Sequence, residues 1–232
     1  MNDKIIFMPS LQYLIFDLDG ALDDQMPGYT RTFITVCAEV GLLEEKALAE
    51  MFNHSAGSPL QQQFSMAFAS SGLQPDLEQL KRCTDRFREL VGDPPARPFP
   101  GALDLILSLF RQQRHLYITT GSKTEEAIRR MDGWGVRPYF DLILGEEKDL
   151  QKGAAHLQRF KEHSGDSCFA QRALYLGDGT ADMRFAHEFG ITAVGITTTL
   201  PAPKLREAGA SYTIGSLAEF LPLTEKLEKE DQ

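Results

Sequence analysis

Short apolar runs alternate with segments whose apolar residues recur at helical spacing. The runs are rich in β-branched residues, which favour strands. The helical segments between the later runs begin near Gly101, Ser122, Gly153 and Ala181. Such alternation predicts an α/β fold with a parallel sheet covered by helices on both faces. The predicted strands are Leu14–Phe16, Leu116–Thr119, Leu142–Leu144, Ala173–Leu176 and Thr192–Ile196.

The long interval after the first predicted strand breaks this alternation. No comparable apolar run follows Gly20 until about Leu116, and apolar residues such as Phe33, Val36 and Cys37 recur at helical spacing instead. The interval ends in a proline-rich stretch, residues 93–101, which cannot continue a helix. We therefore predict an α/β core formed by residues 1–22 and 98–232, with a helical insertion at residues 23–97. The tail from Leu223 to Gln232 alternates Lys with Glu, and we expect a frayed, solvated end.

Composition and charge narrow the class of protein. The chain has 232 residues, 42% hydrophobic, which is enough to bury a substantial core. Its formal net charge of -9 argues against a nucleic-acid surface, and no apolar run approaches the ~20 residues of a membrane span. Cys37, Cys83 and Cys168 are too scattered for a disulfide framework and are expected to be small buried hydrophobes. Met1–Ser10 lacks a long apolar segment with a cleavage site, so we expect a cytoplasmic protein. We expect it to be a monomer or a homodimer.

Four carboxylates follow two of the predicted strands. Asp17 and Asp19 close the first strand, and Asp178 and Asp182 follow the strand that ends near Leu176. Carboxylates gathered at the ends of buried strands repel one another and resist loss of solvent, so a stable fold needs a cation to offset them. Hard oxygen ligands suit Mg²⁺. The sequence therefore predicts a magnesium site at the carboxyl edge of the sheet, where ligands bind in open α/β folds.

These residues resemble the motifs of one enzyme family. Asp17-Leu18-Asp19-Gly20 resembles the first motif of haloacid dehalogenase superfamily phosphohydrolases, and Gly177-Asp178 with Asp182 resembles their fourth. Ile118-Thr119 and Lys152 stand where the second and third motifs belong. The resemblance covers the whole chain and implies a Rossmann-like parallel sheet core with an α-helical cap inserted after the first strand. It is strongest to the subfamily of phosphoglycolate phosphatase and β-phosphoglucomutase.

The resemblance also implies a mechanism. Asp17 would attack phosphorus and form an aspartyl-phosphate, and Asp19 would protonate the leaving alkoxide and then activate water. Lys152 would offset the negative charge shared by Asp17 and the phosphate. The Thr119 hydroxyl and the amides of Thr120-Gly121-Ser122, expected at a helix N-terminus, would bind the phosphoryl oxygens. Mg²⁺ would be held by Asp17, the backbone carbonyl of Asp19, Asp178 and, directly or through water, Asp182.

Several positions have structural interpretations as well. Asp182 could be a first-turn helix residue favoured by the helix dipole, and Thr119 is a good strand former in its own right. Lys148 is a rival to Lys152 for the third motif. The polar segment Asn53–Pro59 is a candidate for setting substrate specificity, although a structural loop would have the same composition. The five histidines show no metal-ligand spacing and are expected to be ordinary surface or partly buried residues.

The sequence thus predicts a Mg²⁺-dependent phosphomonoesterase acting on a small phosphorylated metabolite, with phosphoglycolate as a candidate. A phosphomutase of the β-phosphoglucomutase type would use the same core. A dehalogenase would not require Asp19, and a non-catalytic protein that keeps the fold would not require the whole acidic set. Two positions depart from the family pattern: Ala21 replaces the usual Thr or Val, and Thr120 replaces a common Asn.

Overall fold

The central element of the protein is a parallel β-sheet with helices on both faces. The computed structural model describes residues 11–92 and 97–230. Within these residues six strands form one sheet in the order β3-β2-β1-β4-β5-β6, and every paired strand is parallel. The predicted α/β Rossmann-like fold is confirmed, and β6 is a strand that the sequence pattern did not reveal. The strands are β1 Tyr13–Asp17, β2 His115–Lys123, β3 Leu142–Glu146, β4 Ala173–Gly177, β5 Thr192–Ile196 and β6 Tyr212–Ile214.

Alternate residues of each strand point into two separate apolar layers. On one face, Leu14 and Phe16 pack with helices α5, α6 and α10. On the other face, Tyr13 and Ile15 pack with α7, α8 and α9. Both faces are covered, which explains why the strands are apolar throughout. These helices are α5 Ala102–Arg111, α6 Thr124–Gly133, α7 Ala154–Ser164, α8 Thr180–Phe189, α9 Ala202–Glu207 and α10 Phe220–Glu230.

Of the described helices between β1 and β2, the four that precede α5 share an apolar core of their own. The aromatic rings of Phe33, Phe52 and Phe64 stack there with centroid distances of 4.5 and 4.6 Å. This core shares no residue with the two layers beside the sheet. The exact boundaries at residues 22/23 and 97/98 remain a prediction. The four helices are α1 Met26–Glu39, α2 Glu45–His54, α3 Leu60–Ser70 and α4 Leu77–Val91.

The chain leaves the sheet for these helices and returns from them at one junction. Asp23 and Pro98 form an isolated antiparallel bridge, and the amide of Asp24 donates to the carbonyl of Arg97 at 2.9 Å. The amide of Phe99 donates to the carbonyl of Leu22, also at 2.9 Å. Outgoing and returning segments are thus hydrogen-bonded to each other.

Some expectations from the sequence need correction. Residues 223–230 are not a frayed end but belong to α10, because Leu223 and Leu227, four residues apart, pack on the apolar layer of the sheet. Cys37 and Cys83 are buried, but Cys168 is exposed. The predictions about Met1–Ser10, about the stretch 93–96 and about the last two residues lie outside the described residues. Among the described helices, none is long and apolar enough to cross a membrane.

Candidate active site

Three carboxylates meet where β1 and β4 end. These two strands are neighbours in the parallel sheet, so Asp17 at the end of β1 lies beside the segment that follows β4. Asp17, Asp178 and Asp182 are all buried, and each offers an oxygen within 4.8 Å of the others. Gly20 makes this approach possible, since a Cβ there would lie 2.1 Å from Asp178 Oδ2 and its φ is +92°. The predicted meeting of these acids is thus present in the structure.

The cluster has more negative than positive charge. Three carboxylates are accompanied by the ammonium of Lys152, so two negative charges lack a counter-charge when all the acids are ionised. Burial and the charge of Asp182 raise the pKa of Asp178 above its ordinary value. Burial also raises the pKa of Asp17 well above its ordinary value; Lys152 opposes this shift, while Asp182 and Asp178 add to it. A further cation at this cluster would oppose both shifts, because it favours the ionised carboxylates.

Lys152 is the lysine that contacts the acids. Its Nζ lies 2.7 Å from Asp17 Oδ1 and 2.8 Å from Asp182 Oδ1, and its side chain is 6% exposed. Burial alone would lower the pKa of Lys152, but Asp17 and Asp182 outweigh burial and raise it, so the amine stays charged. Lys148, the rival position, is exposed on the loop after β3. The structure thus places Lys152, and not Lys148, next to Asp17.

Asp182 has a structural part as well as a place in the cluster. It lies in the first turn of α8, and its Oδ2 accepts a hydrogen bond from the amide of Gly179 at 3.1 Å. Its Oδ1 accepts from the hydroxyl of Tyr175 at 2.9 Å and from Lys152. Asp182 is therefore a first-turn residue that caps α8, as one interpretation of the sequence expected, and it also contacts Lys152. Its role as a metal ligand stays a prediction.

Asp19 lies in different surroundings. Its Oδ1 accepts hydrogen bonds from Arg130 Nη1 at 2.5 Å and from the Tyr29 hydroxyl at 3.1 Å. Its Oδ2 accepts from the hydroxyls of Thr120 at 2.8 Å and Ser122 at 2.9 Å. Burial alone would raise the pKa of Asp19, but the Arg130 guanidinium and the hydroxyl donors outweigh burial and hold it below the ordinary value. Asp19 is therefore a fully hydrogen-bonded, ionised carboxylate.

Arg130 and Asp23 are site residues that sequence reasoning missed. Arg130, on α6, is 4% exposed and also contacts Asp23 Oδ2 at 3.1 Å; Asp23 is fully buried. Burial raises the pKa of Asp23 to about 6, although Arg130 opposes the shift. Neither residue belongs to a motif with a fixed spacing. The only sequence signal was a charged residue on the side of α6 that also bears the buried Ala127 and Met131.

The predicted phosphate-binding residues differ from expectation in conformation. The hydroxyl of Thr119 lies 2.8 Å from Nδ1 of His156, in a buried pair below the site. Thr120, Gly121 and Ser122 do not form a turn at a helix N-terminus, because β2 continues to Lys123 with a register irregularity after Thr119. Gly121 and Ser122 line the cavity described next, whereas Thr119 and Thr120 do not. The expectation that His156 is a surface or partly buried residue was wrong, since it is fully buried.

A cavity of about 140 Å³ extends from Asp17, Asp19 and Lys152 towards the helices that follow β1. Its far wall is mostly apolar and includes Phe52 and Phe87. Part of the candidate specificity segment, residues 56–59, also lines the cavity. That segment is fixed to the sheet side, because the Thr180 hydroxyl donates to the carbonyl of His54 at 3.1 Å. A phosphate ester bound at Asp17 would therefore extend its leaving group into a largely apolar space.

The residues of the acidic cluster fit a divalent cation. Asp178 is 1% exposed, and neither of its carboxylate oxygens has a hydrogen-bond partner. Unsatisfied buried carboxylate oxygens are costly, and oxygen ligands are what Mg²⁺ prefers. Asp182, by contrast, has hydrogen-bond partners on both oxygens. Asp178 and Asp17 are therefore the better candidates for metal ligands, because their oxygens have fewer hydrogen-bond partners than those of Asp182.

Comparison with known proteins agrees with this geometry. The sequence pattern of the family described as Haloacid dehalogenase-like hydrolase matches residues 14–196. The chain is 28% identical over 198 residues to a 5'-nucleotidase from Pseudomonas aeruginosa, covering 84% of this chain and 86% of that protein. It is 29% identical over 218 residues to a phosphoglycolate phosphatase from Rhodospirillum rubrum, covering 89% and 86% of the two chains. The crystal structure of a predicted phosphatase from Clostridium acetobutylicum shares the fold, with a TM-score of 0.80, 22% identity and coverage of 95% and 100%.

Proposed function

This chain belongs to the haloacid dehalogenase-like hydrolase family and is an enzyme of the phosphatase kind, and we propose that it is a Mg²⁺-dependent phosphomonoesterase that works through an aspartyl-phosphate on Asp17. The observation that carries the proposal is the buried group of Asp17, Asp178 and Asp182 around Lys152. Such a group is costly without a cation, and it surrounds a carboxylate that opens into a cavity.

The first chemical step in this proposal transfers the phosphoryl group to Asp17. A carboxylate oxygen of Asp17 attacks phosphorus, an O–P bond forms, and the bond between phosphorus and the leaving oxygen breaks. The leaving alkoxide takes a proton from Asp19. Arg130 and the hydroxyl donors favour ionised Asp19 in the free enzyme, so Asp19 must gain this proton as substrate binds, and the negative charge of the phosphate ester beside it favours that gain. Lys152, 2.7 Å from Asp17 Oδ1, partly neutralises the charge that Asp17 and the phosphoryl oxygens bring together.

The second step releases phosphate and restores the enzyme. Asp19, now a carboxylate, accepts a proton from a water molecule, which attacks phosphorus as the bond to Asp17 breaks. We propose that Gly121 and Ser122, which line the same cavity as Asp17, contact the phosphoryl oxygens. We propose that the four helices α1–α4 act as a cap that limits bulk water at the site between the two steps.

The proposed metal has a defined set of ligands. Asp17, the backbone carbonyl of Asp19 and Asp178 would hold Mg²⁺, with Asp182 in contact directly or through water. When bound, the ion would supply positive charge to the phosphoryl oxygens.

The cavity indicates the class of substrate. Its mostly apolar far wall, which includes Phe52 and Phe87, favours a leaving group with an apolar or planar part. Phosphoglycolate, the substrate named for one set of relatives, carries a carboxylate. A carboxylate would need a cation in the cavity. Arg88 lines the cavity on the side of α4, but it already pairs with Glu146 at 2.6 Å. We therefore propose a small phosphate monoester, with nucleoside monophosphates as candidates alongside phosphoglycolate.

The test is phosphate release with and without Mg²⁺ across a panel of phosphoglycolate, sugar phosphates and nucleoside monophosphates. We expect release that requires Mg²⁺ and is concentrated on one part of the panel. Isomerisation of a sugar phosphate without release would favour a mutase of the β-phosphoglucomutase type. Inactivity of the folded protein on every compound would favour a non-catalytic role and contradict the proposal.

A further inference from the structure

Arg130 joins two features that the proposed mechanism treats separately. One is Asp19, the proposed acid and base, to which Arg130 supplies a positive charge at 2.5 Å. The other is the junction through which the chain enters and leaves helices α1–α4, where Arg130 contacts Asp23 at 3.1 Å. The same guanidinium nitrogen, Nη1, makes both contacts. The position of Asp19 is therefore connected to the junction through one buried side chain.

The Asp23 end of this connection is firmly fixed. Asp23 Oδ1 accepts hydrogen bonds from the Arg97 amide at 3.2 Å and from Gln25 Nε2 at 3.3 Å. Arg97 lies on the returning segment and Gln25 precedes α1, so Asp23 contacts both segments of the junction. Since Asp23 and Arg130 are both almost completely buried, a change in the junction would displace the guanidinium rather than solvent.

The Asp19 end includes a residue from the helices beyond the junction. Arg130 Nη2 donates to the Tyr29 hydroxyl at 3.2 Å and to the Ser122 hydroxyl at 2.8 Å. Tyr29 lies on α1, and both hydroxyls in turn donate to Asp19. Arg130 thus holds Asp19 directly and also through two of its other donors. Removing Arg130 would leave the carboxylate with hydroxyl donors alone and no fixed direction.

From these contacts we propose that Arg130 is a positioning residue, which fixes the carboxylate of Asp19 towards the leaving group and ties that orientation to the junction at Asp23. The inference rests on the proposed role of Asp19 as acid and base. Arg130 itself touches neither Asp17 nor the phosphoryl group in this scheme. Its contribution passes through Asp19, and this makes a double-mutant cycle the appropriate test.

The experiment compares Arg130→Met, Asp19→Asn and the double variant on two kinds of substrate. One is an alkyl phosphate, whose alkoxide needs a proton to leave; the other is 4-nitrophenyl phosphate, whose phenolate leaves without one. We compare kcat/KM, which reports the transfer to Asp17 and not the later attack of water that Asp19 assists for every substrate. We expect Arg130→Met to lower kcat/KM on the alkyl phosphate about 10²-fold, and on 4-nitrophenyl phosphate at most about 10-fold. In the Asp19→Asn background the same substitution should change kcat/KM by less than about twofold.

The outcomes separate the inference from the proposed function. If Asp19→Asn alone leaves kcat/KM on the alkyl phosphate unchanged, the proposed role of Asp19 fails. If Asp19→Asn lowers kcat/KM but the losses from the two substitutions multiply in the double variant, Arg130 does not act through Asp19 and the inference is overturned. A higher kcat/KM in Arg130→Met would also overturn it, because Arg130 would then restrain Asp19 and not position it.

Two further variants keep the test decisive. Arg130→Lys keeps the charge but cannot make the same set of contacts, so it should recover only part of the lost kcat/KM; it replaces Arg130→Met if that variant does not fold. Arg129→Met changes an exposed arginine on the same helix and should leave kcat/KM within about twofold. Equal losses from the two arginine substitutions would contradict the inference, and urea unfolding of each variant confirms that folded proteins are compared.

Discussion

Asp17 and Asp19 stand two residues apart in the chain and lie in opposite electrostatic surroundings. Asp17 shares a buried group with two other carboxylates and one ammonium, and its pKa is raised. Asp19 has a guanidinium and three hydroxyls around it, and its pKa is lowered. The group around Asp17 is short of positive charge, whereas both oxygens of Asp19 have hydrogen-bond donors. A buried acidic site can thus be recognised as ready for a cation by what its oxygens lack, as well as by which residues it contains.

Of the substitutions that test this comparison, Asp17→Asn should have the largest effect on kcat. An amide is a far weaker nucleophile than a carboxylate, so we expect kcat to fall by about 10³-fold or more. The substitution also removes one of the repelling charges, so the metal-free protein should unfold at the same or a higher urea concentration. Retention of phosphate release by purified Asp17→Asn would contradict the assignment of the nucleophile.

Removal of the ammonium from the group around Asp17 should have the next largest effect. Lys152→Ala should lower kcat about 10²-fold or more, because Asp17 and the phosphate then share their charge without a nearby cation. Lys148→Ala is the matched control, since this lysine is exposed on the same loop, and its kcat should stay within about twofold. The reverse order of the two losses would move the third motif to Lys148.

Asp178→Asn should weaken Mg²⁺ binding but stabilise the metal-free protein. In the Mg²⁺-loaded enzyme we expect the Mg²⁺ concentration for half-maximal activity to rise about 10-fold or more, because a charged ligand is lost. In the metal-free protein the same substitution should raise the free energy of unfolding by about 1 kcal/mol, since it removes a buried carboxylate without hydrogen-bond partners. An unchanged Mg²⁺ titration would count against Asp178 as a ligand.

The smallest effect concerns His156, the buried histidine that pairs with Thr119. Burial, assisted by Lys152, lowers the pKa of His156 to about 4. An unfolded histidine binds a proton below its ordinary pKa of about 6.5, so His156 should cost stability progressively as pH falls from about 6.5 towards 4. His156→Gln should reduce this acid-side loss by on the order of 2 kcal/mol.

Urea unfolding between pH 4 and pH 7 measures this difference. His187→Gln, at an exposed position on α8, is the control and should follow the wild-type curve. Parallel curves for His156→Gln and wild type would show that folding leaves the pKa of His156 unchanged, which would contradict the prediction.

The sequence foretold the acidic group because parallel strands bring their carboxyl ends to one edge. Asp17 and Asp178 follow neighbouring strands, and their meeting required only that the two apolar runs pair. The five longer strands were predicted to within a few residues, because each is a short apolar run buried on both faces. By contrast, β6 has three residues, only one of them buried, which is too short for a pattern. α10 was missed because its alternating Lys and Glu concealed the apolar pair Leu223 and Leu227.

The surroundings of Asp19 could not be predicted in the same way. Arg130 lies 111 positions from Asp19 in the chain, and its orientation depends on the packing of α6 against β2 and β3. The register irregularity of β2 lies between Thr119 and Lys123, and Gly121 and Ser122, which lie within it, line the cavity. Hydrogen bonds between distant residues follow from packing details, and a single sequence does not contain those details in readable form.

The junction at Asp23 and Pro98 has a consequence for how such a chain can change over evolution. Because outgoing and returning segments are hydrogen-bonded to each other there, the helices between them begin and end at nearly the same place. Insertions, deletions or wholesale exchange of those helices need not shift the register of any strand in the sheet. The shape of the wall that faces the leaving group can therefore diversify without moving the strand ends, as long as the junction and Tyr29 keep their contacts with Arg130 and Asp19.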